Sequence, residues 1–346
     1  MSSSQPIRVV HVGVGPMGYR VLALILERPD LELVGVVDAD PSKIGRSLEE
    51  FVPQGKGSGL CIEGDMSACI ERNRAVAVTH TTVSYLPECI DQLREITRAG
   101  VAMVSSAEEL LYPWLRHPKW ADEVDELCKK HGSRLLGTGI NPGFLMDLLP
   151  LLAGLSCERV RAVRAERVVN AATRRGPLQK KVGAGLSTEE FAKRVASGRF
   201  GHVGFCESGA LLASKLGWKL DTLGETIEPV IAQAPVKTGF VEVQPGEVAG
   251  VHQVVSGTMD GRETIHLDLK MYVGAPDPHD ALTLDSDPPV AWRSDQGIAG
   301  DPATAAILVN SIDRLLAVSP GLKTVADLPA SVKSVSFADL DFQPYY

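Results

Sequence analysis

Residues 8–28 read RVVHVGVGPMGYRVLALILER, and the order of events within them decides the fold. An apolar run, Val9, Val10 and Val12, is broken only by His11. Gly13, Gly15 and Gly18 follow at G-x-G-x-x-G spacing. Val21, Leu22, Leu24, Ile25 and Leu26 then repeat as one face of a helix. Strand, tight turn and helix in that order separate a dinucleotide fingerprint from a chance glycine triplet. Gly13 permits the turn, Gly15 lets backbone approach a pyrophosphate, and Gly18 lets helix and strand lie close. Pro16 and Met17 sit where the new helix turns its free N–H groups and positive dipole end toward phosphates.

A second strand, Leu31 to Val37, ends at Asp38, 20 residues after Gly18. A carboxylate there accepts hydrogen bonds from an adenosine ribose. The segment ADPSKIGRSLEEF reads as a short helix carrying Ser42, Lys43 and Arg46. Asp38 alone favours NAD, because it would repel a 2′-phosphate. Ser42 and Arg46 are close enough in sequence to hold that phosphate, so the cofactor reads as NAD or NADP. Lys43 and Arg46 can equally form a solvated helix face.

A chain of 346 residues is long for one core and suits two domains. The expected class is α/β: a Rossmann-type doubly wound parallel sheet over residues 1–143, completed by a helical segment at about 300–346. A second α+β domain over 144–299 would bind substrate and serve dimerisation. The net charge of −8 argues against a nucleic-acid partner, which needs a basic face. No apolar run reaches the roughly 18 residues of a membrane span, and MSSSQPIR lacks a signal-peptide core. The six cysteines show no C-x-x-C pairing. Free thiols, no metal site and a cytoplasmic location are therefore expected.

Ala75 to Thr79 reads as a strand ending in His80, Thr81, Thr82 and Ser84, followed by a helix over 86–98. Ligands of an open parallel sheet bind beyond the strands' carboxyl ends. Those hydroxyls are thus placed for ribose and pyrophosphate, with His80 structural or near the ribose. Val101 to Val104 is another strand, and SSAEEL sets Ser105, Ser106, Glu108 and Glu109 at its carboxyl end, opening a helix to Trp114. A capping box, Ser105 with Glu108 or Ser106 with Glu109, would use one glutamate and leave the other for the cleft. A strand at 134–136 leads into GTGINPGF, which carries Asn141.

Beyond it, residues 146–154 read as an apolar helix and 160–169 as a strand. Residues 174–185 read as a basic loop, and 187–197 as a helix with a Ser187–Glu190 capping box. Residues 201–218 are a loop, holding His202, then a helix. From 226 to 272 a mostly antiparallel sheet is expected, with a hairpin at MDGRE. A late helix, with Asp301 as N-cap and Pro302 at its first position, should return to the nucleotide domain and set Thr304 near the nicotinamide. A pocket carboxylate with a raised pKa could exchange protons near neutrality and pair with an ammonium group. His202 could line the substrate pocket or cap its own turn.

GTGINPGFLMDLLP (137–150), GHVGFCES (201–208), HTT (80–82) and SSAEEL (105–110) resemble the 2,4-diaminopentanoate dehydrogenases and the native amine dehydrogenases. Those are relatives of dihydrodipicolinate reductase and diaminopimelate dehydrogenase. The resemblance continues through GIAGDPATAAILVNSI and PGLKTVADLP. It implies NAD(P)-dependent, reversible reductive amination of a ketone or aldehyde by ammonia; a homodimer is expected separately, through the open face of the second domain's sheet. Glu108 falls at the family's ammonia-holding glutamate, and Glu109, Phe144, Met146, Phe200 and His202 would surround an otherwise apolar pocket. With no obvious arginine pair for an α-carboxylate, a simple amine is favoured, although Arg174 and Arg175 leave an amino acid open. The alternatives are a cyclic-imine reductase, for which a His-His pair is missing, and a non-catalytic NAD(P)H-binding regulator, for which a side-chain-filled pocket would argue.

Overall fold

The computed structural model describes residues 5–174 and 176–331; Arg175 and the end of the expected C-terminal segment lie outside them. The first half alternates strand and helix: β1 (Ile7–Val12), α1 (Pro16–Glu27), β2 (Leu31–Val37), β3 (Ile62–Glu63), α2 (Met66–Arg72), β4 (Ala77–His80), α3 (Ile90–Arg98), β5 (Ala102–Ser105), α4 (Pro118–His131) and β6 (Arg134–Gly137). The second half opens with α5 (Leu148–Gly154), β7 (Arg159–Asn170), α6 (Gly176–Lys181), α7 (Thr188–Ala196) and α8 (Phe205–Leu216). Then come β8 (Thr222–Ile231), β9 (Val236–Lys237), β10 (Glu242–Val243), β11 (Val248–Met259), β12 (Arg262–Tyr272), β13 (His279–Asp287) and β14 (Val290–Asp295). The last elements are α9 (Gly300–Leu316) and β15 (Gly321–Lys323).

The first sheet runs β15-β6-β5-β4-β1-β2-β3, parallel throughout. Its order reverses between β1 and β4, which opens a crevice at their carboxyl ends where such sheets take ligands. Strands such as β1 and β4 are buried on both faces at their carboxyl ends because helices cover both. On one face α1 and α9 pack together, Val21 and Ile25 meeting Leu308 and Ile312 in one core.

The second sheet runs β14-β13-β7-β12-β11-β8. It is mixed: β7 and β12 are parallel, and the other pairs antiparallel. Helix α8 buries Phe205 and Leu212 against Val163, Leu267 and Leu282 on one face. The other face carries polar pairs such as the Lys270–Glu166 ion pair and the His252–Asp268 hydrogen bond. The hairpin at Asp260–Gly261 has positive φ at both residues, as a tight turn there requires.

Several local expectations give way. Residues 41–45 form turns, not a helix, because Pro41 opens and Gly45, at φ +85°, closes them. The helix expected over 86–98 breaks at Cys89, and Glu108–Leu111 is a single 3-10 turn. Neither capping box forms at Ser105 or Ser106. Within the expected basic loop lies α6. The N-cap of α9 is Ala299, so Asp301 and Pro302 fall inside its first turn. Among the described residues no helix is long and apolar enough to cross a membrane.

Candidate active site

The turn after β1 is shaped by its glycines and braced from below. Gly13 has φ +101°, and a Cβ there would lie 2.6 Å from the Thr81 carbonyl oxygen. A Cβ on Gly18 would lie 2.0 Å from the Gly13 oxygen, whereas one on Gly15 would meet nothing within 4 Å. Gly15 is thus open toward the crevice. The Gly13 oxygen accepts from Thr81 Oγ1 at 2.8 Å and from His11 Nε2 at 3.0 Å, while Thr79 donates to His11 Nδ1. Burial pushes the His11 pKa down to about 4, so this imidazole is a neutral strut.

At the end of β2, Asp38 accepts from the Val14 and Asp40 N–H groups at 2.7 and 2.8 Å. Lys43 donates to the same carboxylate and to the Val14 carbonyl. Ser42 is spent on Asp40. Arg46 does not face the nucleotide turn: it grips Glu50 and lies over the Phe51 ring.

A cavity of about 650 Å³ runs from this turn to the second sheet, past Gly15, Pro16, Met17, Thr81, Thr82, Ser84, Ser106 and Glu108. Glu108 stands in its wall. Desolvation raises the Glu108 pKa, opposed by a hydrogen bond with Ser84 and by the charge of Lys181. Glu109 is turned the other way, its carboxylate held by the Leu86 N–H and His117. His80 and Ser105 are also withdrawn: fully buried, they bond each other, and His80 also bonds Gln92.

The loop after β6 supplies the opposite wall. Its Asn141–Pro142 peptide bond is cis. Thr138 Oγ1 and both amide atoms of Asn141 are buried without a hydrogen-bond partner among the described residues, and both residues line the cavity. Such groups are costly unless something satisfies them. Thr304 Oγ1 accepts from the Ile140 N–H at 3.2 Å, tying α9 to this loop. The buried Asp147 carboxylate takes the Gly143 N–H, the Leu148 N–H and the Ser208 hydroxyl. A Cβ on Gly204 would lie 2.6 Å from Pro142 and 2.8 Å from Glu108 Cβ, so only glycine lets the start of α8 close here. The three segments 105–110, 137–150 and 201–208 therefore meet at one place.

His202 lines the cavity, and its Nε2–H donates to the Asn141 carbonyl at 2.7 Å. Burial lowers its pKa to about 4. Gln253 holds the backbone of His202 at both N–H and carbonyl, and Glu225 holds Gln253.

The walls differ from the expectation. Phe144 and Met146 pack in the core, and Phe200 stacks edge-on against Phe191, away from the cavity. Large apolar side chains found deeper burial than a solvent-filled cleft provides. Ile140, Val169, Val251, Leu269 and Met271 form the apolar wall instead. Nor is the cavity free of cations: Arg167, Arg174 and Lys181 line it. Arg167 is buried and paired with Asp280 at 3.0 Å, and it also donates to the Ile298 carbonyl.

The sequence of residues 144–339 matches the model of the 2,4-diaminopentanoate dehydrogenase C-terminal domain. Over 337 residues the chain is 32% identical to a 2,4-diaminopentanoate dehydrogenase of Acetoanaerobium sticklandii, covering 94% of each. It is 25% identical to an amine dehydrogenase of Streptomyces virginiae, covering 93% of this chain and 96% of that one. The solved structure of an amine dehydrogenase from Mycobacterium smegmatis superposes with a TM-score of 0.81 at 24% identity, over 95% of this chain and 97% of that one.

Proposed function

As the chain belongs to the 2,4-diaminopentanoate dehydrogenase family, it is an oxidoreductase that uses a nicotinamide cofactor on amines, and we propose that it reversibly aminates a ketone or aldehyde with ammonia held by Glu108. The observation that carries this reading is Glu108 itself, a carboxylate with a raised pKa in the wall of the same cavity that holds the open side of Gly15. The residues present fit the cofactor: an open glycine turn, a strand-end acid, and orphaned polar groups at Thr138 and Asn141 in the same cavity.

The nicotinamide, when bound, donates the hydride in amination and accepts it in deamination. Glu108 binds an ammonium ion and takes one of its protons, which frees ammonia to attack the carbonyl carbon. The protonated Glu108 returns that proton to the carbinolamine hydroxyl, which leaves as water and yields an iminium. Its burial makes Glu108 a stronger base than a solvated carboxylate, which suits it to a donor as weakly acidic as ammonium. Holding both reactants in one cavity supplies much of the rate. Overall, carbonyl compound, ammonium, NAD(P)H and a proton give the protonated amine, NAD(P)+ and water.

Arg174 and Lys181 support a substrate that carries an anionic group, such as an amino acid's carboxylate, over a plain alkylamine. The open cavity weighs against a regulator without turnover. The homodimer expected from sequence remains part of the proposal, through the open face of the mixed sheet; sedimentation tests it. The decisive experiment is Glu108→Gln. It should bind NAD(P)H with unchanged affinity, read by cofactor fluorescence, and lose amination by at least about 100-fold. Amination at the wild-type rate would remove Glu108 from the mechanism.

A further inference from the structure

We propose that Lys43 is the cofactor-selecting residue of this chain: by neutralising Asp38 it lets one site serve both NADH and NADPH. The inference rests on nicotinamide binding alone and is independent of the amine chemistry. Lys43 Nζ lies 3.0 Å from Asp38 Oδ2 and 2.9 Å from the Val14 carbonyl oxygen. Asp38 in turn takes the Val14 N–H at 2.7 Å. The pair therefore holds both backbone groups of Val14, the residue between Gly13 and Gly15. It stands at the strand end where an acid meets the adenosine ribose.

A carboxylate alone at this position repels a 2′-phosphate. Two carboxylates are close here, since Asp40 Oδ2 is 3.8 Å from Lys43 Nζ. Of the two cations in the segment 39–51, Arg46 is committed to Glu50 and the Phe51 ring. Lys43 is left to face the phosphate. Its ammonium is a point charge on a flexible stem, and its side chain is about one-fifth exposed, so it can move from Val14 to a phosphate oxygen without rebuilding the turn. Asp38 Oδ1 accepts only the Asp40 N–H among the described contacts and keeps a lone pair for a ribose hydroxyl. The same two side chains can thus meet a 2′-hydroxyl through Asp38 or a 2′-phosphate through Lys43.

The test measures dissociation constants of NADH and NADPH by the fluorescence of the bound cofactor, on wild type, Lys43→Gln and Asp38→Asn. The readout is the ratio of the two constants on one sample, which partial unfolding does not move. Wild type should bind both within about tenfold of each other. Lys43→Gln, which can still donate to Val14, should raise the NADPH constant at least tenfold and leave NADH within twofold. Asp38→Asn should shift the ratio the opposite way. An unchanged ratio in Lys43→Gln, or a wild type that rejects NADPH, would overturn the assignment. Binding of neither cofactor would instead defeat the nicotinamide reading as a whole.

Discussion

The imidazole of His202 and the carbonyl of Asn141 are joined by a 2.7 Å hydrogen bond across the candidate site. The carbonyl can only accept, so Nε2 carries the proton. With a pKa near 4 the ring is neutral, and Nδ1 keeps its lone pair. His202 is therefore an acceptor in the cavity, not a cation. Its placement depends on Gln253, which bonds its backbone on both sides. Gln253→Leu should take these partners from a half-buried N–H and a half-buried carbonyl, at about 1 kcal/mol of stability, the lower end of the cost for an orphaned group. It should also lower kcat/KM for the carbonyl substrate while cofactor affinity stays constant. A variant as active and as stable as wild type would show that Gln253 does not position His202.

Acid should destabilise the fold through its buried histidines. His11 and His202 take up protons near pH 6.5 when unfolded but only near pH 4 when folded. Between those values the unfolded chain binds more protons. The stability due to each ring is thus complete above about 6.5 and falls as the pH drops toward 4. A gap of this size amounts to about 3 kcal/mol per ring. Glu108, Asp147 and Glu207, raised by burial, act in the opposite sense. The histidine share is therefore read as a difference. His11→Asn, which can still donate to the Gly13 oxygen, should show a shallower loss in urea midpoint between pH 6.5 and 4.5 than wild type. Equal slopes would mean that His11 is not held neutral.

Much of the frame was legible because it is local. The glycine spacing, β2 ending at Asp38, and the hairpin at Asp260–Gly261 are written within a few residues of each other. The site was legible in part. Glu108 was reached through resemblance, but which of two adjacent glutamates faces the cleft depends on the Leu86 N–H and His117 capturing Glu109. No spacing rule contains that contact. Arg167 with Asp280 and His202 with Gln253 are joined across 113 and 51 residues, so neither pair leaves a periodic trace. Phe144, Met146 and Phe200 misled because their size makes them suitable for a pocket wall and more suitable for a core. Lys43 was in view as one of two cations; only the fold separates it from Arg46.

Arg116 should matter more than a half-exposed arginine normally does. It binds Glu207 Oε1 at 2.6 Å, and Glu207 is buried with its other oxygen unpartnered among the described residues. Exposed ion pairs contribute about 0–1 kcal/mol, but removing the cation here strands a buried carboxylate. Arg116→Ala is expected to cost about 2 kcal/mol, below the roughly 3–5 kcal/mol of a pair buried on both sides, since water reaches the arginine. Adding Glu207→Gln should recover most of it. A single variant within 0.5 kcal/mol of wild type in chemical denaturation, or a double variant worse than the single, would contradict this account.

Asp147 ties the two halves of the site together, and its loss should be felt at a distance. Among the described residues its carboxylate is held by two backbone N–H groups and the Ser208 hydroxyl and by no cation, and burial raises its pKa. One of those N–H groups, from Gly143, belongs to the loop whose Asn141 and Thr138 face the cavity. Asp147→Ala would leave three buried donors unsatisfied, a cost of about 3–5 kcal/mol, since each forfeits its partner at roughly 1–3 kcal/mol and the loop relaxes in part. Ser208→Ala removes only one donor and its acceptor stays satisfied twice, so about 1 kcal/mol is expected. If Asp147 acts through the loop, the Ser208→Ala protein should keep its KM for both substrates. Asp147→Ala, assayed at low temperature where it remains folded, should lose cofactor affinity as well as turnover. Intact cofactor binding in folded Asp147→Ala would confine this carboxylate to stability and free the loop from its control.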